Sequence, residues 1–130
     1  MNWLTVEDVL ETHAAVIRMS GGLAGLRDVG SVASAVGRMQ AGTSEGELYP
    51  SLHTKVAALL ESLVHNHGFI DGNKRTALAS AAAMLSLNGC ALDYATGEAV
   101  DFMLAVATHR LDFDDIVRWL RDHSEPQSEE

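Results

Sequence analysis

His65–Gly89 reads HNHGFIDGNKRTALASAAAMLSLNG. From Thr76 to Leu87 almost every residue is small or apolar. A helix apolar on all sides is normally buried, and Asn88-Gly89 supplies its C-terminal stop. The first twelve residues, His65 to Thr76, hold two imidazoles, a carboxylate, two amides and two cations. A polar, chemically dense string therefore opens a helix that must lie inside the molecule. That decides the fold class: all-α, with the motif loop at the N-terminus of a buried central helix.

The flanking sequence repeats the helical pattern. Before the motif, Ser51 can cap a helix running to about His65, with Leu52, Val56, Leu59, Leu60, Leu63 and Val64 as its apolar face. Ala41 to Pro50, with two glycines and a closing proline, reads as an exposed loop. A short helix carries Val32, Val36 and Met39, and a glycine-rich connection, Gly21 to Gly30, precedes it. The first helix starts at Thr5 and puts Val6, Val9, Leu10, His13 and Ile17 on one face. After the motif, Thr96 can cap a helix with Val100, Met103, Leu104 and Ala107 on one side. Asp112 opens the last one, which packs Phe113, Ile116, Val117 and Leu120 inward. No strand pattern appears. The expectation is one domain over 1–122 with about six helices, and a disordered acidic tail over 123–130.

Composition narrows the function. The chain has 130 residues, 47% of them hydrophobic, and a formal net charge of −9. A protein that grips nucleic acid usually carries a basic face. Here nine Lys and Arg are scattered, and only Lys74-Arg75 are neighbours. A local cationic pocket in an acidic protein suits a small anionic ligand better than DNA or RNA. The single cysteine, Cys90, excludes a disulfide within the chain and reads as a small buried residue. No stretch reaches the length of a membrane span, and MNWLTVEDVL lacks the features of a signal peptide. The expected location is the cytoplasm.

The motif has a physical logic. The first N–H groups of a helix lack internal partners and carry partial positive charge. Gly72-Asn73-Lys74 places such donors beside the cations of Lys74 and Arg75, and Gly72 lets the backbone approach a ligand closely. That combination binds phosphate. Asp71 has a plain reading as the helix N-cap and a second one as ligand to the Mg²⁺ that accompanies nucleotides. His67, four residues earlier, can act as general base on an attacking hydroxyl. Each group alone has an ordinary structural reading; their co-occurrence at one buried helix start is what favours chemistry. The H-N-H tripeptide is no nuclease site, because that class spreads its residues over a ββα unit. His65 closes the preceding helix instead.

These residues resemble the Fic/Doc superfamily signature, HxFx[D/E]GNxR, along His67-x-Phe69-x-Asp71-Gly72-Asn73-Lys74-Arg75. Thr76-Ala77-Leu78 points to the death-on-curing (Doc) branch. The resemblance runs from about Leu4 to Arg121. It implies an all-α domain that transfers part of a nucleoside triphosphate, ATP with Mg²⁺, to a protein hydroxyl. It assigns His67 as general base, Asp71 as Mg²⁺ ligand, Gly72 and Asn73 as the anion nest, and Lys74 and Arg75 as phosphate-facing cations.

AMP-transferring members usually read GNGRxxR. Here Lys74 replaces the second glycine and Leu78 stands where the last arginine would be. This looks like the Doc branch, whose members bind the nucleotide in reverse and phosphorylate a threonine of elongation factor Tu, stalling translation. Gly68 stands where proline is common, which lowers loop rigidity. The superfamily's inhibitory pattern, [S/T]xxxE[G/N], is absent, so the resemblance implies a separate, Phd-like antitoxin acting in trans. The loop Ala41 to Pro50 matches the flap that positions targets in Fic relatives. The alternatives are an AMP or other nucleotidyl transferase on the same scaffold, and a catalytically silent member that binds a partner.

Overall fold

The computed structural model describes residues 1–127. Its centre is a pair of helices joined by the motif loop, α3 (Leu52–Asn66) and α4 (Asn73–Leu87). α1 (Val6–Ser20) packs on α4, and α2 (Val29–Arg38) packs on α3. α5 (Thr96–Ala107) touches both central helices, and α6 (Phe113–Asp122) lies along α3. Among the described residues the six expected helices are present, with four short strands added.

α4 buries Thr76, Ala77, Ser80, Ala81, Met84 and Leu85. Its alanines keep that face flat, so α3 lies close against it. α3 is still more enclosed: Val56, Ala57, Ala58, Leu59, Leu60, Leu63 and Val64 are all buried. Two hydroxyls on the buried face of α4, Thr76 Oγ1 and Ser80 Oγ, have no hydrogen-bond partner among the described residues. No helix among those residues is long and apolar enough to cross a membrane.

Local capping explains most of the helix starts. Thr5 Oγ1 accepts from the Asp8 N–H at 3.2 Å while Asp8 Oδ2 accepts from the Thr5 N–H at 2.9 Å. Ser51 and Thr54 exchange the same two bonds, and so do Asp112 and Asp115. α5 differs from the sequence reading. Thr96 is its first residue, and Ala95 holds the cap position, its N–H donating to Glu98 Oε1 at 3.0 Å.

The strands correct the reading that none would form. β1 (Gly42–Thr43) and β2 (Gly46–Glu47) fold part of the expected loop into a tight hairpin, pairing Gly42 with Glu47 and Thr43 with Gly46. β3 (Cys90–Leu92) pairs antiparallel with β4 (Ser124–Pro126), Leu92 opposite Ser124. The tail expected to be disordered is therefore ordered through residue 127. His123 stacks on Trp119 at 3.9 Å, and the Gln127 N–H donates to Gly89 O at 2.9 Å. A polar, acidic composition does not oppose pairing made by backbone groups on an edge. Residues 128–130, the rest of that tail, lie outside the described residues.

A buried cation holds the hairpin. Lys55 is 2% exposed, and its Nζ donates to Glu47 Oε1 at 3.0 Å and lies 5.4 Å from the centre of the Trp3 ring. Arg38 secures the hairpin's exit, its Nε donating to the Tyr49 hydroxyl at 2.9 Å. Glu47 itself is half exposed, so what its removal costs is a buried Lys55 ammonium left with Met39 O alone, and that costs more than replacing the charge by an apolar group. Glu47→Ala is expected to lower stability by about 1–3 kcal/mol, the worth of a hydrogen bond to a charged group. Lys55→Met should be close to neutral. Urea midpoints check this; a larger loss for Lys55→Met than for Glu47→Ala would contradict it.

Candidate functional site

The motif loop is fixed by backbone and side-chain bonds before any ligand is considered. α3 ends at His67, which takes a left-handed conformation with φ 48° and ψ 49°. Gly68 follows, pressed against α2: a Cβ there would lie 2.7 Å from Val32 Cγ2. Its carbonyl accepts from the N–H groups of Arg27 and Asp28, at 2.8 and 3.0 Å. Glycine at this position was expected to loosen the loop. Instead it permits close packing, and the two bonds supply the rigidity.

Phe69 is the anchor. Its ring is 3% exposed and stacks flat on the His13 imidazole, 3.9 Å away and 8° from parallel. Asn73 clamps its backbone: Asn73 Oδ1 accepts from the Phe69 N–H at 3.1 Å, and Asn73 Nδ2 donates to Phe69 O at 2.9 Å. The loop of residues 21–28 adds an edge, with the Ile70 N–H donating to Gly25 O at 3.1 Å and an isolated bridge between Leu26 and Phe69.

His13 is the residue that sequence reading passed over. It sat on the apolar face of α1 as one more inward position. In the fold it is buried, and its Nε2 donates to Asp71 O at 2.8 Å while its ring carries Phe69. The available signal was an imidazole on an otherwise apolar stripe, with no local partner to explain it.

Asp71 is not the N-cap of α4. Gly72 holds that position, with φ 78° and ψ 19°, and no side chain among the described residues caps the helix. A left-handed φ at this point is open to glycine without strain. The Asp71 carboxylate instead ties two segments together. Oδ2 accepts from the Leu23 N–H at 3.0 Å and Oδ1 from the Gly72 N–H at 2.8 Å. These donors, Leu23 first and then Gly72, hold the carboxyl below the usual carboxylate range, with the Arg75 charge adding to them.

The first hydrogen bond of α4 runs from the Thr76 N–H to Gly72 O, at 2.9 Å. The N–H groups of Asn73, Lys74 and Arg75 precede it and have no partner among the described residues, as the first donors of a helix do. The Gly72 N–H, expected to join them, is taken by Asp71. Asn73 contributes its backbone only, because its side chain is spent on Phe69.

A cavity of about 150 Å³ opens here, lined by Val64, His67, Ile70, Asp71, Gly72, Asn73, Lys74 and Ala107. His67 is exposed within it, and its ring makes no hydrogen bond to the described residues. Five of the six sequence-predicted site residues thus share one cavity. Arg75 does not line it. Its guanidinium reaches back to the end of α1, donating to Ser20 Oγ at 2.6 Å and Gly21 O at 2.8 Å, and lies 3.8 Å from Asp71. His65 also stands apart, stacked on His109 at 4.2 Å with Nε2 donating to Val106 O at 3.0 Å.

The cavity is small beside the ~300–1,000 Å³ of ordinary ligand pockets; it suits a phosphate group rather than a whole nucleotide. Among the described residues no three His, Cys, Asp or Glu side chains gather in a metal cage. A single ionised carboxylate fits a different cation chemistry. Mg²⁺ binds through one or two carboxylates and takes its other ligands from water and substrate phosphates. Asp71 keeps lone pairs for that role, since each carboxylate oxygen here accepts one N–H.

Known proteins resemble this chain in sequence. The family model described as Fic/DOC family matches residues 3–85. The chain is 43% identical over 116 residues to a protein of Mycolicibacterium smegmatis named Toxin Doc, covering 88% of this chain and 87% of that one. It is 32% identical over 121 residues to Protein kinase doc of Escherichia phage P1, covering 93% and 94%. The matched span begins before α1 and ends within α4, so it takes in His13, Leu23 and every lining residue of the cavity but Ala107. With two relatives matched over most of both lengths, the chain belongs to the Fic/DOC family.

Proposed function

We propose that this site transfers the terminal phosphoryl group of ATP to a protein hydroxyl, and that the chain is the toxin of a toxin–antitoxin pair. One observation carries the chemistry: the exposed His67 imidazole and the unpaired N–H groups of α4 border the same cavity, beside the Lys74 cation. The names of the two relatives, a toxin and a protein kinase, support the biological reading. The target hydroxyl oxygen attacks the γ-phosphorus while His67 accepts its proton. The bond from the γ-phosphorus to the bridging oxygen breaks, and ADP leaves with the electron pair. The α4 N–H groups and Lys74 face the charge that builds on the phosphoryl oxygens. Mg²⁺ held by Asp71 would neutralise phosphate charge and align the chain of phosphates. Arg75 serves a supporting role, bracing Asp71 and the end of α1 rather than lining the phosphate cavity.

Resemblance to the death-on-curing branch points to a threonine of elongation factor Tu as the target, and to a Phd-like antitoxin as the inhibitor in trans. Intact-mass measurement of elongation factor Tu after incubation with the chain, ATP and Mg²⁺ tests both target and reaction. One added phosphoryl group is expected. An added AMP would replace the kinase reading by nucleotidyl transfer. An unchanged mass would remove elongation factor Tu as the target.

Asp71→Asn is expected to abolish transfer at every Mg²⁺ concentration. The same variant reports on pH. A carboxyl lowered in the folded state adds stability above its unfolded value of about 3.9 and loses it as pH falls through the folded one. The stability gap between wild type and Asp71→Asn should therefore be full near neutrality and close only below about pH 4. A gap that is constant with pH would contradict the ionised, N–H-bonded carboxylate.

A further inference from the structure

We propose that His13 is a positioning residue: it holds the Asp71–Gly72 peptide in one of two orientations, and so sets how the Asp71 carboxylate and the start of α4 face the motif cavity. The effect on transfer rests on the phosphoryl-transfer reading of that cavity; the orientation of the peptide does not.

A peptide unit is planar, so its C=O and N–H turn together. Both ends of this one are held. The Asp71 carbonyl accepts from His13 Nε2 at 2.8 Å, and the Gly72 N–H donates to Asp71 Oδ1 at 2.8 Å. The second bond goes to a side chain that can turn with the peptide; the first goes to a fixed helix. α4 makes no use of the Asp71 carbonyl, since its first bond ends on Gly72 O. Among the described residues His13 is the one partner of that carbonyl. Gly72, at φ 78°, adds no preference of its own, because glycine takes positive and negative φ about equally. His13 is therefore what selects the orientation.

The imidazole is itself well fixed. It is 5% exposed, and its stack on Phe69, 8° from parallel, sets the plane in which Nε2 points. The peptide lies directly on α1: a Cβ at Gly72 would be 3.2 Å from Ile17 Cδ1 and 3.7 Å from His13 Cδ2. An apolar residue could fill this place on an otherwise apolar face, but only a donor at the end of the ring holds the carbonyl. A turned peptide would take the Gly72 N–H from Asp71 Oδ1 and leave the carboxylate tied by the Leu23 N–H alone. It would also redirect the Asn73 N–H, next in the chain. His13, which does not line the cavity, thus governs groups that do.

Hydrogen exchange read residue by residue by nuclear magnetic resonance, beside steady-state transfer kinetics, tests this on the full chain. His13→Phe keeps a flat ring for the stack and removes the donor. His13→Gln places an amide N–H near the position of Nε2. In His13→Phe the Gly72 N–H is expected to exchange about tenfold faster or more, with α3 unchanged. Its kcat should fall about tenfold or more, while KM for the target protein stays within about twofold. His13→Gln should recover most of both losses. Wild-type exchange at Gly72 in His13→Phe would overturn the inference, as would equal loss in the two variants. A uniform rise of exchange across α3 would also overturn it, because that marks a residue that only stabilises the fold. Should His13→Phe fail to fold, His13→Asn, whose shorter amide falls short of Asp71 O, takes its place against His13→Gln. If wild type transfers nothing, the phosphoryl-transfer reading fails, and the exchange comparison still decides what holds the peptide.

Discussion

His67→Asn is expected to reduce phosphoryl transfer by about 10²–10⁴-fold, the usual contribution of a positioned general base, and to leave the melting curve in place. The expectation follows from how little holds the imidazole. His67 is exposed, and its ring makes no hydrogen bond to the described residues, so its removal takes away no packing. Its backbone is the constraint, because φ is 48°. Asparagine tolerates that region better than most residues. The asparagine variant therefore separates chemistry from loop geometry, whereas His67→Ala adds some backbone strain to the loss of the base. Initial rates with labelled ATP, alongside thermal melts, check the prediction. Transfer at the wild-type rate in both variants would show that another group takes the proton.

Phe69→Ala should have the largest effect on stability, about 3–5 kcal/mol, as expected for deleting a buried aromatic ring. The ring is 3% exposed and stacks on His13, which in turn donates to Asp71 O. Its loss opens a cavity beneath the motif and frees His13 from its partner. Phe69→Leu keeps much of the volume and should recover a large part of the loss. Urea unfolding measures both. A midpoint for Phe69→Ala equal to wild type would mean that the loop is not built on this contact. Because the same ring positions the residues on either side, the alanine variant should also lose activity at temperatures where it remains folded.

The helices were legible, and so were the starts at Thr5, Ser51 and Asp112, because capping is local. Thr5, Ser51 and Asp112 each sit three residues from the group that completes the box, so the pattern lies within one short window. The buried character of α4 was equally plain from its alanines. Contacts made across the chain were not. His13 and Asp71 are 58 residues apart, and nothing near His13 announces the bond. Asp71 looked like a cap because it precedes a helix, yet the left-handed Gly72 displaces it toward Leu23. β3 and β4 pair through backbone groups, which residue type barely encodes, and their partner segments are separated by all of α5 and α6. The motif was readable as a set of residue types. The division of labour within it, with Asn73 clamping and Arg75 bracing, depends on where α1 passes.

In the proposed reaction the terminal phosphorus of ATP is the one transferred. Wild-type chain, Mg²⁺ and elongation factor Tu are incubated in parallel with ATP labelled at the γ-phosphate and at the α-phosphate, with His67→Asn as the control. Label is expected on the target from γ alone, lost in the control. Label from α on the target would contradict it.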